Sequence, residues 1–413
     1  MRILSGPAAE ARVRKIAARG SRYAEIEPVV RRIVADVRRK GDGALRKYAR
    51  RWDGLRPQES LQVSEVEIRA AWKSANPDLK ASLQTAAANI RRFCKWQKPR
   101  ERSRTKNGIT LGQIVRPLDS VGCYVPGGRY PLISTLLMTV IPAQVAGVEN
   151  IRVVSPQPRM EVLAAAEMVG VREVYRVGGA QAIAALAYGT QSIPRVDKIV
   201  GPGNLYVTAA KKLVAFDCAI DFLAGPTEVV IVSDSGRAEF IAADMVAQAE
   251  HDPEALAVFI TTRGNLAREV ATAANKFSAG NRIARESLRR NGAILISASR
   301  AESFHWANEI AAEHLTVDAA DMARVRNAGS IFVGEYSPQA AGDYASGPNH
   351  VLPTGGAARF RGGLSILDFM KIIGVQKLSR DGLKTIAPVV ESLAEAEGLR
   401  AHAESIRTRF AHA

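Results

Sequence analysis

The chain has 413 residues, 47% hydrophobic and 24% charged, with three cysteines and a formal net charge of +16. That size predicts two to four domains whose cores need no disulfide or metal staples, and the composition excludes disordered and collagen-like chains. The longest apolar run, 131–148, is broken by Pro142 and Gln144, and the first residues lack the apolar core of a secretion signal, so a cytoplasmic protein with no membrane partner is expected.

Residues 1–107 read as a helical N-terminal segment. Through residue 117 the chain carries 28 Lys and Arg against 11 Asp and Glu; the remainder is balanced, 29 against 30. Val30, Ile33, Val34 and Val37 recur at helical spacing, with Arg31, Arg32, Arg38, Arg39 and Lys40 on the opposite side. The basic excess therefore reads as a solvated helix face, with long-range attraction of an anionic cofactor or substrate as the alternative. No zinc finger, aromatic RNA-binding motif or stacking platform accompanies it, so no nucleic-acid partner is expected. A non-enzymatic polyanion-binding protein is the rival class, and salt-sensitive DNA binding would be its mark. Ser64 with Glu67 forms a capping box, and Asn76-Pro77 restarts a helix that continues over 83–96.

From Asp119 the texture alternates strand, turn and helix. A first α/β domain, 108–235, has strands in SVGCYV, NIRVVSP, EVYRV and VDKIV, and helices over 132–145, 160–169, 181–187 and 205–215. A second series begins near Asp221. Its strands EVVIVSD, LAVFITT, AILISAS, LTVDA and SIFVG alternate with helices over 238–250, 266–277 and 301–313, and most of it falls in a domain assigned to 236–375. Residues 376–413 form a helical tail whose Ile386, Val389, Val390 and Leu393 need burial. The fold class is thus α/β, with two Rossmann-like parallel-sheet halves between a helical N-terminal segment and a helical C-terminal tail.

Three glycine turns follow strands of the first half: VPGG at 125–128, VGGAQA at 177–182 and VGPGN at 200–204. Such turns aim backbone N–H groups at a phosphate on the carboxyl edge of a parallel sheet. None is a GxGxxG fingerprint, since GPGNLY fails at Tyr206, and a Walker A motif is absent.

Four of the six histidines sit in polar motifs. In AQAEHD, Gln248 and His251 are three apart and share a helix face that can grip one ion. In EHL, Glu313 and His314 stand together at a helix end and can divide general-base work between two steps. Asp343 and His350 flank the loop GDYASGPNH, and Glu397 and His402 lie in the tail motif AEAEGLRAH. If these groups converge, Gln, His, Asp and His make a nitrogen and oxygen donor set suited to Zn2+. One carboxylate against a dication leaves about +1, favouring a substrate alkoxide while His314 takes the hydroxyl proton and NAD+ takes hydride.

VGCYVPGG, VGGAQAIAALAYGT, DKIVGPGNLYVT, AGPTEV, AQAEHDP, EHL, NAGSIF, GDYASGPNHVLPT and AEAEGLRAH stand in the order and spacing of the histidinol dehydrogenase family, which the chain resembles from about residue 20 to residue 408. The resemblance implies oxidation of L-histidinol through the aldehyde to L-histidine with two NAD+, at a zinc site in an intertwined homodimer. It implies zinc ligands Gln248, His251, Asp343 and His402, the last from the partner subunit, with the zinc holding substrate nitrogens. It also implies His314 as base for hydride transfer, Glu313 as activator of water, substrate contacts from Thr227, His350 and Glu397, and cofactor contacts from Tyr124, Gln181 and Asn204. Thr227 stands where many members have Ser, Pro348 replaces a common Thr, and Asp252 a frequent Gly. These departures bear on substrate breadth, and related dehydrogenases of other amino alcohols or sulfonated diols are the alternative. Cys94, Cys123 and Cys218 form no CxxC, which argues for a reducing compartment and against a thiolate metal cage. A thiohemiacetal on Cys123 is the rival route for the aldehyde step, though no base is evident near it.

Overall fold

The computed structural model describes residues 1–19, 23–127 and 132–411, which leaves Gly128 of the first glycine turn and His412 outside the described residues. Its strands in chain order are β1 (Arg2–Ser5), β2 (Arg102–Lys106), β3 (Ile109–Pro117), β4 (Ser120–Tyr124), β5 (Asn150–Val154), β6 (Glu173–Tyr175), β7 (Lys198–Val200), β8 (Ala219–Ile220), β9 (Glu228–Val232), β10 (Leu256–Thr261), β11 (Ala293–Ile296), β12 (His314–Val317), β13 (Ser330–Val333) and β14 (Met370–Leu378). Among the described residues no helix is long and apolar enough to cross a membrane.

The chain divides into two compact units, residues 1–97 with 118–369, and residues 98–117 with 370–413. The first unit holds two all-parallel sheets. One runs β6-β5-β4-β7-β8; the other runs β1-β11-β10-β9-β12-β13. Taking each sheet's own strands from β4 and from β9, both orders are 3-2-1-4-5, with β1 added at the edge of the second. The α/β reading with two comparable parallel halves therefore holds. In both sheets the winding reverses between the first and fourth strands, β4 and β7 or β9 and β12, and such switch points open crevices for ligands.

The N-terminal helices follow the apolar stripe. On the helix Tyr23–Lys40, Val30, Ile33, Val34 and Val37 are buried in one cluster with Ala182, Ile183, Leu186, Val207 and Ala210 of the first half. Each fully buried side chain of this kind contributes roughly 1.5–3 kcal/mol. Arg31, Arg32, Arg38, Arg39 and Lys40 stay exposed, several of them paired with Glu27 or Asp36. The capping box at Ser64 forms in full, and Asn76 accepts from the Asp78 N–H at the start of the helix Pro77–Gln97.

The limits of the second unit differ from the boundaries expected at 107/108 and 375/376. The second unit is built on the antiparallel sheet β14-β3-β2. A cut at 107 severs the β2–β3 hairpin and one at 375 bisects β14, which pairs with β3 from Met370↔Pro117 to Leu378↔Ile109. The segment assigned as purely helical also contains β1 at one end and β2 at the other. The tail is two helices, Arg380–Ala396 and Arg400–Ala411. Its expected burial is incomplete: Val389 is 59% and Leu393 61% exposed, as are Leu111, Ile372 and Ile373 on the sheet in large part.

Candidate functional site

Two clusters form at the switch points of the first unit. At the carboxyl edge of the first sheet, a cavity of about 520 Å3 is lined by Tyr124, Gly127, Gly179, Gln181, Asn204 and Tyr206, so all three glycine turns converge on it. The helices of the N-terminal segment supply Val29, Ile33, Trp52 and Asp53 to its wall, which the sequence reading did not anticipate.

Part of the turns' hydrogen-bonding capacity is used within the chain. The Gly178 N–H and the Gln181 amide both donate to Asp53 Oδ2 at 3.0 Å, and the Gly179 N–H donates to the Tyr124 hydroxyl at 3.1 Å. Asp53 is thus an internal anion at the positive end of the helix Gly179–Tyr188. Burial pushes its carboxyl above the ordinary range, against the pull of those two donors. In the third turn Asn204 caps its own helix by accepting from Tyr206 and Val207 N–H groups, and the Gly201 N–H goes to Asp221. The expected cofactor residues line one cavity, and of the turns' backbone donors the Gly178, Gly179 and Gly201 N–H groups are spent within the chain.

The second cluster lies at the amino edge of the second sheet. The helix Arg300–Ile310 stops at Ala311, which takes a left-handed φ of 49°, so Glu313 and His314 are not at a helix end: Glu313 precedes β12 and His314 is its first residue. In register beside them, Thr227 and Glu228 open β9. Glu313 Oε2 accepts from the Thr227 hydroxyl at 2.5 Å and from the Glu228 N–H at 2.8 Å. Gln248 donates through Nε2 to Thr227 Oγ1. His314 directs Nδ1 to the Glu228 carbonyl at 3.0 Å and Nε2 to Asp343 Oδ1 at 3.4 Å. Burial disfavours the charged imidazole, but Glu313 and Asp343 outweigh it and push His314 up to about 10. His350 sits behind Asp343, with Nδ1 on the Asp343 carbonyl at 2.8 Å and Nε2 3.3 Å from the Thr135 hydroxyl; burial, the larger influence, lowers its pKa.

The donor chemistry suits a cation. His251 commits Nδ1 to the Ala247 carbonyl at 3.0 Å, which leaves a lone pair on Nε2, the arrangement typical of metal-binding histidine. Among the described residues, Gln248 Oε1 and Asp343 Oδ2 likewise carry no hydrogen bond. Gln248 and Asp343 flank His314, and His251, His314 and His350 are all near enough to act electrostatically on Asp343. Among the described residues no group of three or more His, Cys, Asp or Glu is arranged to hold a metal. One chain therefore offers a Gln, a His and an Asp. Glu397 and His402 lie exposed in the second unit.

Arg19 and Glu228 were not singled out from sequence. Arg19 grips Glu228 at both carboxylate oxygens, at 2.5 and 2.6 Å, and Glu228 in turn offers its backbone to Glu313 and His314. A separation of 209 residues hides the pair from any local pattern.

Cys123 is fully buried in β4, and burial pushes its thiol up to about 12. A thiolate at neutral pH is therefore strongly disfavoured. Cys123→Ala is expected to keep aldehyde oxidation within about threefold of wild type, as for a residue outside the chemistry; selective loss of that step would restore the thiohemiacetal route.

Asp244, one turn before Gln248, has no hydrogen bond or ion pair among the described residues, and burial pushes its carboxyl up to about 6. Between roughly pH 4, the ordinary range, and pH 6 the folded chain keeps a proton that the unfolded chain releases. Stability from this group is present at low pH and is lost as pH rises through 6. Asp244→Asn should therefore raise the melting midpoint at pH 7.5 more than at pH 4.5; an equal shift at both would show that the carboxyl does not titrate there.

The histidinol dehydrogenase family model matches residues 17–410. The histidinol dehydrogenase of Methanothermobacter thermautotrophicus is 49% identical over 393 residues, covering 92% of each chain. That of Geobacter sulfurreducens is 45% identical over 401 residues, covering 94% of each. The crystal structure of histidinol dehydrogenase from Elizabethkingia anophelis superimposes with a TM-score of 0.94 at 35% identity, covering 99% of this chain and 98% of that one.

Proposed function

The chain belongs to the histidinol dehydrogenase family, and from that premise we propose that it oxidises L-histidinol through L-histidinal to L-histidine, reducing two NAD+. The observation that carries this reading is the amino-edge cluster, where His314 is held between the carboxylates of Glu313 and Asp343, and Asp343, Gln248 and His251 keep metal-donor atoms free of hydrogen bonds. Gln248, His251 and Asp343 would hold Zn2+, with His402 of a second copy completing the set. Bound there, the zinc would supply a positive charge to fix the substrate's nitrogen atoms.

The chain's own groups divide the proton work. His314 spends Nδ1 on the Glu228 carbonyl at 3.0 Å and holds Nε2 only loosely, 3.4 Å from Asp343 Oδ1, so Nε2 is the ring nitrogen assigned to exchange a proton with the substrate hydroxyl. Glu313 keeps Oε1 clear of the hydrogen bonds on Oε2, and that oxygen serves to deprotonate water for attack on the aldehyde. Thr227, His350 and Glu397 are assigned to the substrate. The dinucleotide, which accepts hydride in both steps, is assigned to the cavity at Tyr124, Gln181 and Asn204. The uncovered apolar faces at Leu111, Ile372, Val389 and Leu393 support a homodimer whose tail contributes to the neighbouring site.

His251→Asn tests the ligand set. Zinc content and histidinol oxidation are expected to fall together; full metal occupancy in the variant would remove His251 from the set. A substrate panel on the zinc-loaded enzyme, with histidinol against other amino alcohols and sulfonated diols, tests the substrate.

A further inference from the structure

We propose that the buried Lys211–Asp221 ion pair is a positioning element for the dinucleotide, clamping the third glycine turn so that Asn204 and Tyr206 face the cofactor cavity. The proposal rests on the reading of that cavity as the cofactor site.

Lys211 lies on the helix Leu205–Val214 and is only 2% exposed, and the Asp221 side chain has no exposed surface. Both polar backbone groups of Gly201 end on this pair: its N–H donates to Asp221 Oδ2 at 2.8 Å, and its carbonyl accepts from Lys211 Nζ at 3.0 Å. Asp221 Oδ1 pairs with Lys211 and accepts from the Phe222 N–H at 2.6 Å. The Phe222 ring lies 5.9 Å from Lys211 Nζ, and the Arg361 guanidinium is 4.3 Å from the same ring.

Gly201 has φ +114°, and a Cβ there would come within 2.2 Å of the Tyr124 carbonyl oxygen. The clamp therefore acts where the third turn touches the end of β4, which bears another cavity residue. Because Lys211 belongs to the helix that the turn leads into, it ties that helix back to Gly201 and fixes the span 202–204 between them.

A buried ion pair is costly to desolvate and is seldom better for stability than an apolar pair of equal volume. Here it brings charge-assisted bonds onto one glycine, which sets geometry. Neither residue hydrogen-bonds to Gln248, His251, Glu313, His314 or Asp343, so the effect should be confined to the cofactor.

The test compares Lys211→Met and Asp221→Asn, with Gln181→Ala as a reference change inside the cavity, in full-length zinc-loaded enzyme. NADH binding is read by fluorescence titration, alongside KM for NAD+, KM for histidinol and zinc content. Lys211→Met should weaken NADH binding and raise KM for NAD+ about tenfold or more, with histidinol KM and zinc content unchanged. Asp221→Asn, whose amide oxygen still accepts the Gly201 N–H, should show a smaller shift in the same direction; it decides the matter if Lys211→Met does not accumulate as folded protein. NADH affinity near wild type in the clamp variants, with Gln181→Ala weakened, would overturn the clamp alone. Affinity near wild type in all three would overturn the cavity reading and the clamp with it. Equal losses in NADH, histidinol and zinc binding would make the pair a general structural element and likewise overturn the proposal.

Discussion

Glu313→Gln is expected to slow oxidation of histidinal by about 100-fold or more while leaving histidinol oxidation within about tenfold of wild type, since general-base assistance typically contributes 10²–10⁴. Only the second step consumes water. The substitution preserves shape: a glutamine oxygen can still accept from the Glu228 N–H and the Thr227 hydroxyl, as Glu313 Oε2 does at 2.8 and 2.5 Å. What it removes is the basic lone pair and one of the two charges beside His314, whose Nδ1 lies 3.6 Å from Glu313. Loss of that neighbour is the source of any smaller effect on the alcohol step. Each substrate is to be assayed separately by NADH formation, and equal losses in both steps would refute the division of labour.

Arg19→Met should destabilise the protein by about 3–5 kcal/mol, the usual result of stripping one partner from a buried ion pair. Glu228 is 3% exposed and takes Arg19 at both oxygens, and Arg19 also donates to the Ile16 and Ile310 carbonyls. For a chain of this length that loss lowers the thermal midpoint by roughly 4–6 °C. Because Glu228 presents its N–H to Glu313 and its carbonyl to His314, kcat should fall as well. Adding Glu228→Gln removes the stranded charge and should recover most of the midpoint. A single variant that melts with wild type would show that Glu228 does not depend on Arg19.

Much of the architecture was legible because it is local. The strands β9 to β13 are short apolar runs separated by amphipathic helices, and the stripe Val30 to Val37 is buried as its spacing requires. The hairpin β2–β3 was not legible: RSRTK has no apolar alternation, is exposed along its whole length, and is a strand only because β3 pairs with it. The helix ending at Ile310 was read three residues too long, since only the left-handed turn at Ala311 stops it.

The same contrast runs through the site. Short motifs brought forward Gln248, His251, Glu313, His314 and Asp343 because chemistry of this kind needs particular residue types at short spacings. Glycine marked the three turns because chain reversal needs it, whereas Tyr124, Gln181 and Asn204 in or beside those turns were named by the family resemblance. Motif spacing and the positions of the turns are properties of adjacent residues, and the amino-acid sequence determined those unaided. Tertiary structure decided what lies beside them: Asp53 reaches the second turn across 125 residues, Arg19 reaches Glu228 across 209, and Glu313 and His314 sit at the amino edge of their sheet rather than the carboxyl edge. Partners so distant in the chain are chosen by which packed faces meet, and the burial of whole elements sets that choice.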